Sequence, residues 1–264
     1  LVQYITKGIM TTKKEVVIAL VPGSFATTVM YDRVVPLLEK AGYKTHGIEL
    51  LSANDGTIQP SVQMVDDAAE IKKQLLTILD SGKNVVLALQ SYGGIPGSEA
   101  CKGLSQKDRG EGNTAVIGIL YAASFIPAEN ESVRSIMDAY IPDFYKTGIP
   151  GGYFDKLAPE MAALTFNDLE DKEAALKYGA SMTGHSSDTY SGRASYAAWR
   201  DIPGTTIIPQ LDVIVATAEQ EKMYDRAKAA GAIIKRVPAE GGGHAITVTQ
   251  PQLVADELIK LAEA

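Results

Sequence analysis

The chain has few of the residues that crosslink a protein or hold a metal. Its one cysteine in 264 residues, Cys101, excludes an intramolecular disulfide and any cysteine-built zinc site. It fits a reducing compartment, and a cytoplasmic location is expected. The three histidines, His46, His185 and His244, lie too far apart to form a helical metal-binding pair. No apolar run reaches the roughly 20 residues that span a bilayer. The first residues lack the apolar core of a signal peptide; Met10 is read as the native start, with residues 1–9 a leader or an appended remnant. Lysine and arginine form no run, and the formal net charge of −7 disfavours a nucleic-acid partner. Internal repeats and low-complexity tracts are absent.

What is present is a soluble-protein composition, 45% hydrophobic and 22% charged, in a chain long enough for one sizeable core. Apolar runs of strand length alternate with stretches of helical period. Strands are expected at Val16–Val21, Thr45–Leu51, Asn84–Leu89, Thr114–Ala123, Thr205–Leu211 and Ile233–Val237. Helices are expected at Tyr31–Ala41, Val62–Leu79 (Val65, Ala68, Ile71, Leu75 and Ile78 on its apolar face), Gly93–Leu104, Glu219–Ala230 and Pro251–Ala264. This alternation implies right-handed crossovers and a mostly parallel sheet of about six strands flanked by helices. Residues 127–199 break the pattern with Tyr140, Phe144, Tyr145, Tyr153, Phe154, Phe166, Tyr190 and Tyr196, and with a Gly/Pro-rich piece at Gly148–Gly152. They read as a mostly helical cap inserted in the same domain, between core segments 10–126 and 200–264.

Four motifs fall at carboxyl ends of the expected strands, where open parallel sheets place their ligands. In Val85-Val86-Leu87-Ala88-Leu89-Gln90-Ser91-Tyr92-Gly93-Gly94 a buried strand runs into a serine, and a Gly-Gly pair opens a helix. That is the context of a nucleophile elbow, although a serine capping a helix gives the same string. Pro22-Gly23-Ser24-Phe25 follows the first strand. It reads either as a plain turn or as a loop whose Ser24 N–H, with that of Tyr92, completes an oxyanion hole. Gly241-Gly242-Gly243-His244 places a candidate base on a loop after the sixth strand. A phosphate cradle is the rival, but the spacing of the known phosphate loops is missing. Asp212, after the fifth strand, completes the order Ser…Asp…His; it would otherwise be an ordinary turn residue, and Glu129 is the fallback acid.

Together these residues resemble the α/β-hydrolase superfamily from about Val16 to the C-terminus. Within it the chain is similar to the compact branch of plant methylesterases, hydroxynitrile lyases and related fungal hydrolases. Tyr31-Asp32-Arg33-Val34-Val35-Pro36-Leu37-Leu38, Ser91–Ala100 and Ala197-Ala198-Trp199-Arg200-Asp201-Ile202-Pro203 are reminiscent of the fungal members. The resemblance implies the α/β-hydrolase fold, a triad of Ser91, Asp212 and His244, and oxyanion donors at Ser24 and Tyr92. Three positions depart from the usual pattern: Leu89 stands at the first glycine of G-x-S-x-G, Gln90 replaces a common histidine, and Pro22 replaces the histidine of the His-Gly loop.

The chemistry expected is hydrolysis of a small-to-medium hydrophobic carboxylic ester or lactone through an acyl-enzyme. Phe25, Gln90 and His185 are candidate substrate contacts, His185 reading equally as a packing residue of the cap. The mechanism requires no cofactor and no metal, and its partner is a small molecule, with neither nucleic acid nor membrane. Hydroxynitrile lyases of the branch carry Thr and Lys where this chain has Gly23 and Ala245, which favours an esterase. A non-hydrolytic lyase-type or biosynthetic use of the triad, or a receptor using the capped pocket, stays open. So do the substrate and the oligomeric state, a homodimer included.

Overall fold

The computed structural model describes residues 15–137, 149, 152–157 and 164–264. Residues 1–10, Tyr140, Phe144, Tyr145 and Gly148 lie outside the described residues. Among the described residues eight strands occur in chain order: β1 (Val16–Val21), β2 (Lys44–Gly47), β3 (Asn84–Gln90), β4 (Val116–Ala122), β5 (Tyr153–Phe154), β6 (His185–Ser186), β7 (Gly204–Pro209) and β8 (Ile234–Ala239). Six of them form one parallel sheet in the order β2-β1-β3-β4-β7-β8. This is the α/β-hydrolase architecture, a parallel sheet flanked by helices.

The period of two along a strand explains the layers. Val17, Ala19 and Val21 of β1, with Val85, Leu87 and Leu89 of β3, join one core beside the helices Met64–Asp80 and Thr217–Ala229. The alternate residues Val16, Ile18, Leu20, Val86 and Ala88 join a second core beneath the helix Pro251–Glu263. Apolar side chains are therefore needed on both faces, which makes these strands continuous hydrophobic runs.

Several elements depart from expectation. The second strand stops at Gly47, four residues long and at the sheet edge. Beyond it the Glu49 carboxylate turns to accept the Thr28 backbone N–H at 3.0 Å. The helix expected from Tyr31 is split into a 3-10 turn, Thr28–Tyr31, and a helix, Val35–Lys40. Pro36 sits in the first turn of that helix, where its missing N–H has no partner to lose. On Met64–Asp80 the buried face is entered by Met64 rather than Val65, which is exposed.

Within 127–199 the described residues include the helices Val133–Met137 and Lys172–Ser181 and an antiparallel ribbon, β5 with β6, that the helical period did not foretell. A third core ties this region to the sheet's loops: Phe154, Phe166, Tyr178 and Met182 pack with Phe25, Met30 and Val248. The Thr183 N–H donates to the Phe25 carbonyl at 2.8 Å, and the Ala245 N–H to the Thr165 carbonyl at 3.1 Å.

Candidate active site

The chain runs from β1 out to the edge strand β2, then returns to place β3 on the other side of β1. The loops after β1 and β3 thus leave a crevice at the point where the strand order reverses. Ser91 stands there at the end of β3 with φ 54°, a left-handed conformation that is uncommon for a residue with a Cβ. The turn is held from below: the Ser124 hydroxyl donates to the Ser91 carbonyl at 2.9 Å and the Phe125 N–H at 3.3 Å.

His244 reaches the Ser91 side chain. Its Nε2 lies 2.9 Å from Ser91 Oγ, and its Nδ1 lies 2.9 and 3.1 Å from the Asp212 carboxylate oxygens. All three residues are buried. The carboxylate is oriented by three further donors: the N–H groups of Ile214 (2.9 Å) and Val215 (3.0 Å) and the Gln220 amide (2.8 Å). The two loops are joined, since the Leu211 N–H donates to the Gly242 carbonyl at 2.8 Å. Glu129, the fallback acid, is half exposed and paired with Arg200; the histidine meets Asp212.

The oxyanion candidates lie in the same crevice. Ser24 and Tyr92 line the cavity beside Ser91. Phe25 and Gln90 also line it. Gln90 does more than line the wall: its Oε1 accepts the Gly23 N–H at 3.0 Å and its Nε2 donates to the His244 carbonyl at 3.4 Å. The residue that replaces the common histidine ties the loops that carry Ser91, Ser24 and His244 to one another.

His185 is absent from the cavity wall. It lies one layer behind, its ring 5.0 Å from that of Tyr92 and 5.3 Å from that of Phe25. Its Nε2 is 3.1 Å from Thr189 Oγ1. Complete burial among rings lowers its pKa from 6.5 to about 3, so it is a neutral packing residue at physiological pH. In this structure the packing reading replaces substrate contact.

Three participants escaped the sequence reading. Gln220 gave no signal, because nothing in the chain marks which helix side chain turns back onto Asp212. Tyr190, noted only as one of the aromatics, has its hydroxyl 3.0 Å from Ser24 Oγ. Asp67 was legible: it falls three residues after Met64 and four before Ile71, on the buried face of its helix. It accepts the Tyr92 hydroxyl at 2.8 Å and the Ser52 N–H at 3.0 Å. Burial raises the pKa of its carboxyl, and burial beside that carboxyl raises the Tyr92 phenol well above its usual range.

The cavity measures about 340 Å³, at the lower end of ligand sites. Away from Ser91 and His244 its wall is mostly apolar, with Met30, Phe125, Val133, Met137, Met182 and Val215. No Lys, Arg, Asp or Glu lines it among the described residues.

A buried Ser–His–Asp constellation on strand-end loops of a parallel sheet is the arrangement that α/β hydrolases share. Residues 18–257 match the model of the alpha/beta hydrolase family, and the chain belongs to that family. Over 239 residues it is 30% identical to the alpha/beta hydrolase nvfD of Aspergillus novofumigatus (strain IBT 16806), spanning 90% of this chain and 92% of that one. Among solved structures it shares the fold of a pyrethroid hydrolase from Sphingobium faniae JZ-2, with TM-score 0.71, 19% identity, and coverage of 94% of this chain and 98% of the other. Polyneuridine aldehyde esterase is similar to the same degree, with TM-score 0.69, 17% identity, and coverage of 94% and 100%. Among the described residues no helix is long and apolar enough to cross a membrane.

Proposed function

We propose that this chain is a serine hydrolase that cleaves a carboxylic ester or lactone of a small-to-medium hydrophobic substrate through an acyl-enzyme. The observation that carries the reading is the pair of contacts made by His244, 2.9 Å to Ser91 Oγ on one ring nitrogen and 2.9 Å to Asp212 on the other. Ser91 Oγ attacks the carbonyl carbon while His244 Nε2 takes its proton. The carbonyl π electrons move onto the oxygen, which rests on the Ser24 and Tyr92 N–H groups. Collapse expels the alkoxide, which receives that proton from His244. Water, deprotonated by the same nitrogen, then releases the acid and restores Ser91.

The apolar wall supports a neutral, hydrophobic acyl or lactone portion, since burying an unpaired carboxylate or ammonium there would be costly. The same reading takes residues 127–199 as a cap over the sheet's loops, within one domain with core segments 10–126 and 200–264. Leu157, Leu164, Met182 and Tyr190 of that region line the cavity. An esterase name on a structural relative agrees with the reading without carrying it.

A fluorophosphonate probe tests it. Labelling at Ser91, mapped by mass spectrometry, lost in Ser91→Ala and strongly reduced in His244→Ala, is the expected outcome. A folded protein that is not labelled and leaves p-nitrophenyl acetate untouched sinks the proposal.

A further inference from the structure

The hydrolase reading uses two backbone N–H groups to hold the oxyanion, and it leaves the Ser24 side chain without a task. Ser24 is one of the residues that line the cavity with Ser91. Its Oγ accepts a hydrogen bond from the Tyr190 hydroxyl at 3.0 Å. A hydroxyl has one hydrogen to give and two lone pairs to receive with. With Tyr190 as donor, Ser24 keeps its own hydrogen, and among the described residues no acceptor takes it. Tyr190 is held in turn by packing, its ring 6.2 Å from Tyr92, 5.7 Å from Phe154 and 5.6 Å from His185.

We propose that the Ser24 hydroxyl is a third, side-chain donor to the oxyanion, preset for that task by the hydrogen bond it accepts from Tyr190. The proposal rests on the serine-hydrolase reading and adds a catalytic group to it. Ser24 then contributes twice, through its N–H and through its Oγ–H. As negative charge builds on the substrate oxygen, the chain Tyr190 O–H to Ser24 O–H to oxyanion polarises along its length, each bond strengthening the next. Tyr190 touches no reacting atom and acts as a positioning residue. In the ground state the carbonyl oxygen is neutral and gains little from a third donor, so the benefit falls on the transition state.

The test is steady-state turnover of a p-nitrophenyl ester by Ser24→Ala, Tyr190→Phe and the double variant. Ser24→Ala keeps the backbone N–H and removes only the hydroxyl. Its kcat is expected to fall about 10- to 100-fold with KM within about twofold, less than the roughly 100- to 1000-fold that loss of a principal oxyanion donor costs, because two backbone donors remain. Tyr190→Phe is expected to lose less, through kcat as well, and the double variant is expected to be no worse than Ser24→Ala alone. A tyrosine that merely packed the wall would not give that non-additivity. Ser24→Ala with wild-type kcat, or single losses that simply multiply in the double variant, would overturn the proposal. Fluorophosphonate labelling of the wild type separates the two failures. A labelled, active wild type beside an unaffected Ser24→Ala removes only the third donor. An unlabelled, inactive wild type removes the hydrolase reading and this proposal with it.

Discussion

Gln90 holds Gly23: the amide oxygen of the glutamine accepts the glycine N–H at 3.0 Å, one residue before Ser91 on one side and one before Ser24 on the other. Its amide nitrogen reaches the His244 carbonyl at 3.4 Å. Gln90→Leu keeps the bulk and removes both bonds, leaving the Gly23 N–H without a partner. Such a loss costs about 1–3 kcal/mol. Turnover of a p-nitrophenyl ester is expected to fall at least tenfold, with a lower thermal midpoint. Unchanged turnover would dismiss the bridge.

Gly23 itself has no room for a side chain, since a Cβ there would lie 2.6 Å from Ser91 Cβ and 2.9 Å from Gln90 Oε1. Gly23→Ala must displace Ser91 or the Gln90 bridge. An activity loss of about 100-fold or more is expected in a protein whose circular dichroism is native, because small misplacements at a reacting centre are costly.

Leu89 and Gly97 form a complementary pair beneath the elbow. The leucine stands where many relatives have glycine, and a Cβ on Gly97 would come within 2.2 Å of its Cδ2. The larger side chain on the strand is accommodated by the absence of one on the helix Gly94–Ala100. Gly97→Ala is expected to destabilise by about 1–3 kcal/mol through overpacking. Combined with Leu89→Ala, the urea-measured loss should be smaller than the sum of the single losses. Strict additivity would deny the pairing.

Gln220 orients Asp212 by donating to Oδ2 at 2.8 Å from a fully buried position. Gln220→Leu removes that donor and leaves Ser91 and His244 untouched. The expected result is a fall in kcat on the order of tenfold with little change in KM, since a hydrogen bond to a charged group is worth about 1.5–3 kcal/mol. A selective rise in KM would place the glutamine in substrate binding instead.

The burial of His185 makes stability depend on pH. Its pKa in the folded protein, about 3, lies below the ordinary 6.5, so the unfolded chain takes up a proton that the folded one refuses. The contribution is intact above pH 6.5 and is lost as pH falls toward 3. From pH 6.5 to 5 it amounts to about 1.6 kcal/mol. Asp67, raised by burial, opposes it, since its own contribution is present in acid and fades as pH rises. Urea midpoints at both pH values for wild type and His185→Gln isolate the histidine. The wild type is expected to lose more stability on acidification, and equal losses would refute the assignment.

The alternation of apolar strands and amphipathic helices determines a parallel sheet covered on both faces, because only that arrangement buries strands hydrophobic on each side. The string from Val85 to Gly94 and the positions of Asp212 and His244 after later strands were equally legible, being local matters of strand, turn and loop. Asp67 could be read from helical period alone. The rest depended on segments far apart in sequence coming together. The bond between His244 and Ser91 spans 153 residues, and that between Tyr190 and Ser24 spans 166. The packing of His185 behind the wall, the bridging of three loops by Gln90 and the fit of Leu89 against Gly97 are likewise set by tertiary contact. Sequence period specifies which face of an element is buried; which side chain of another element meets it follows only once the sheet is assembled.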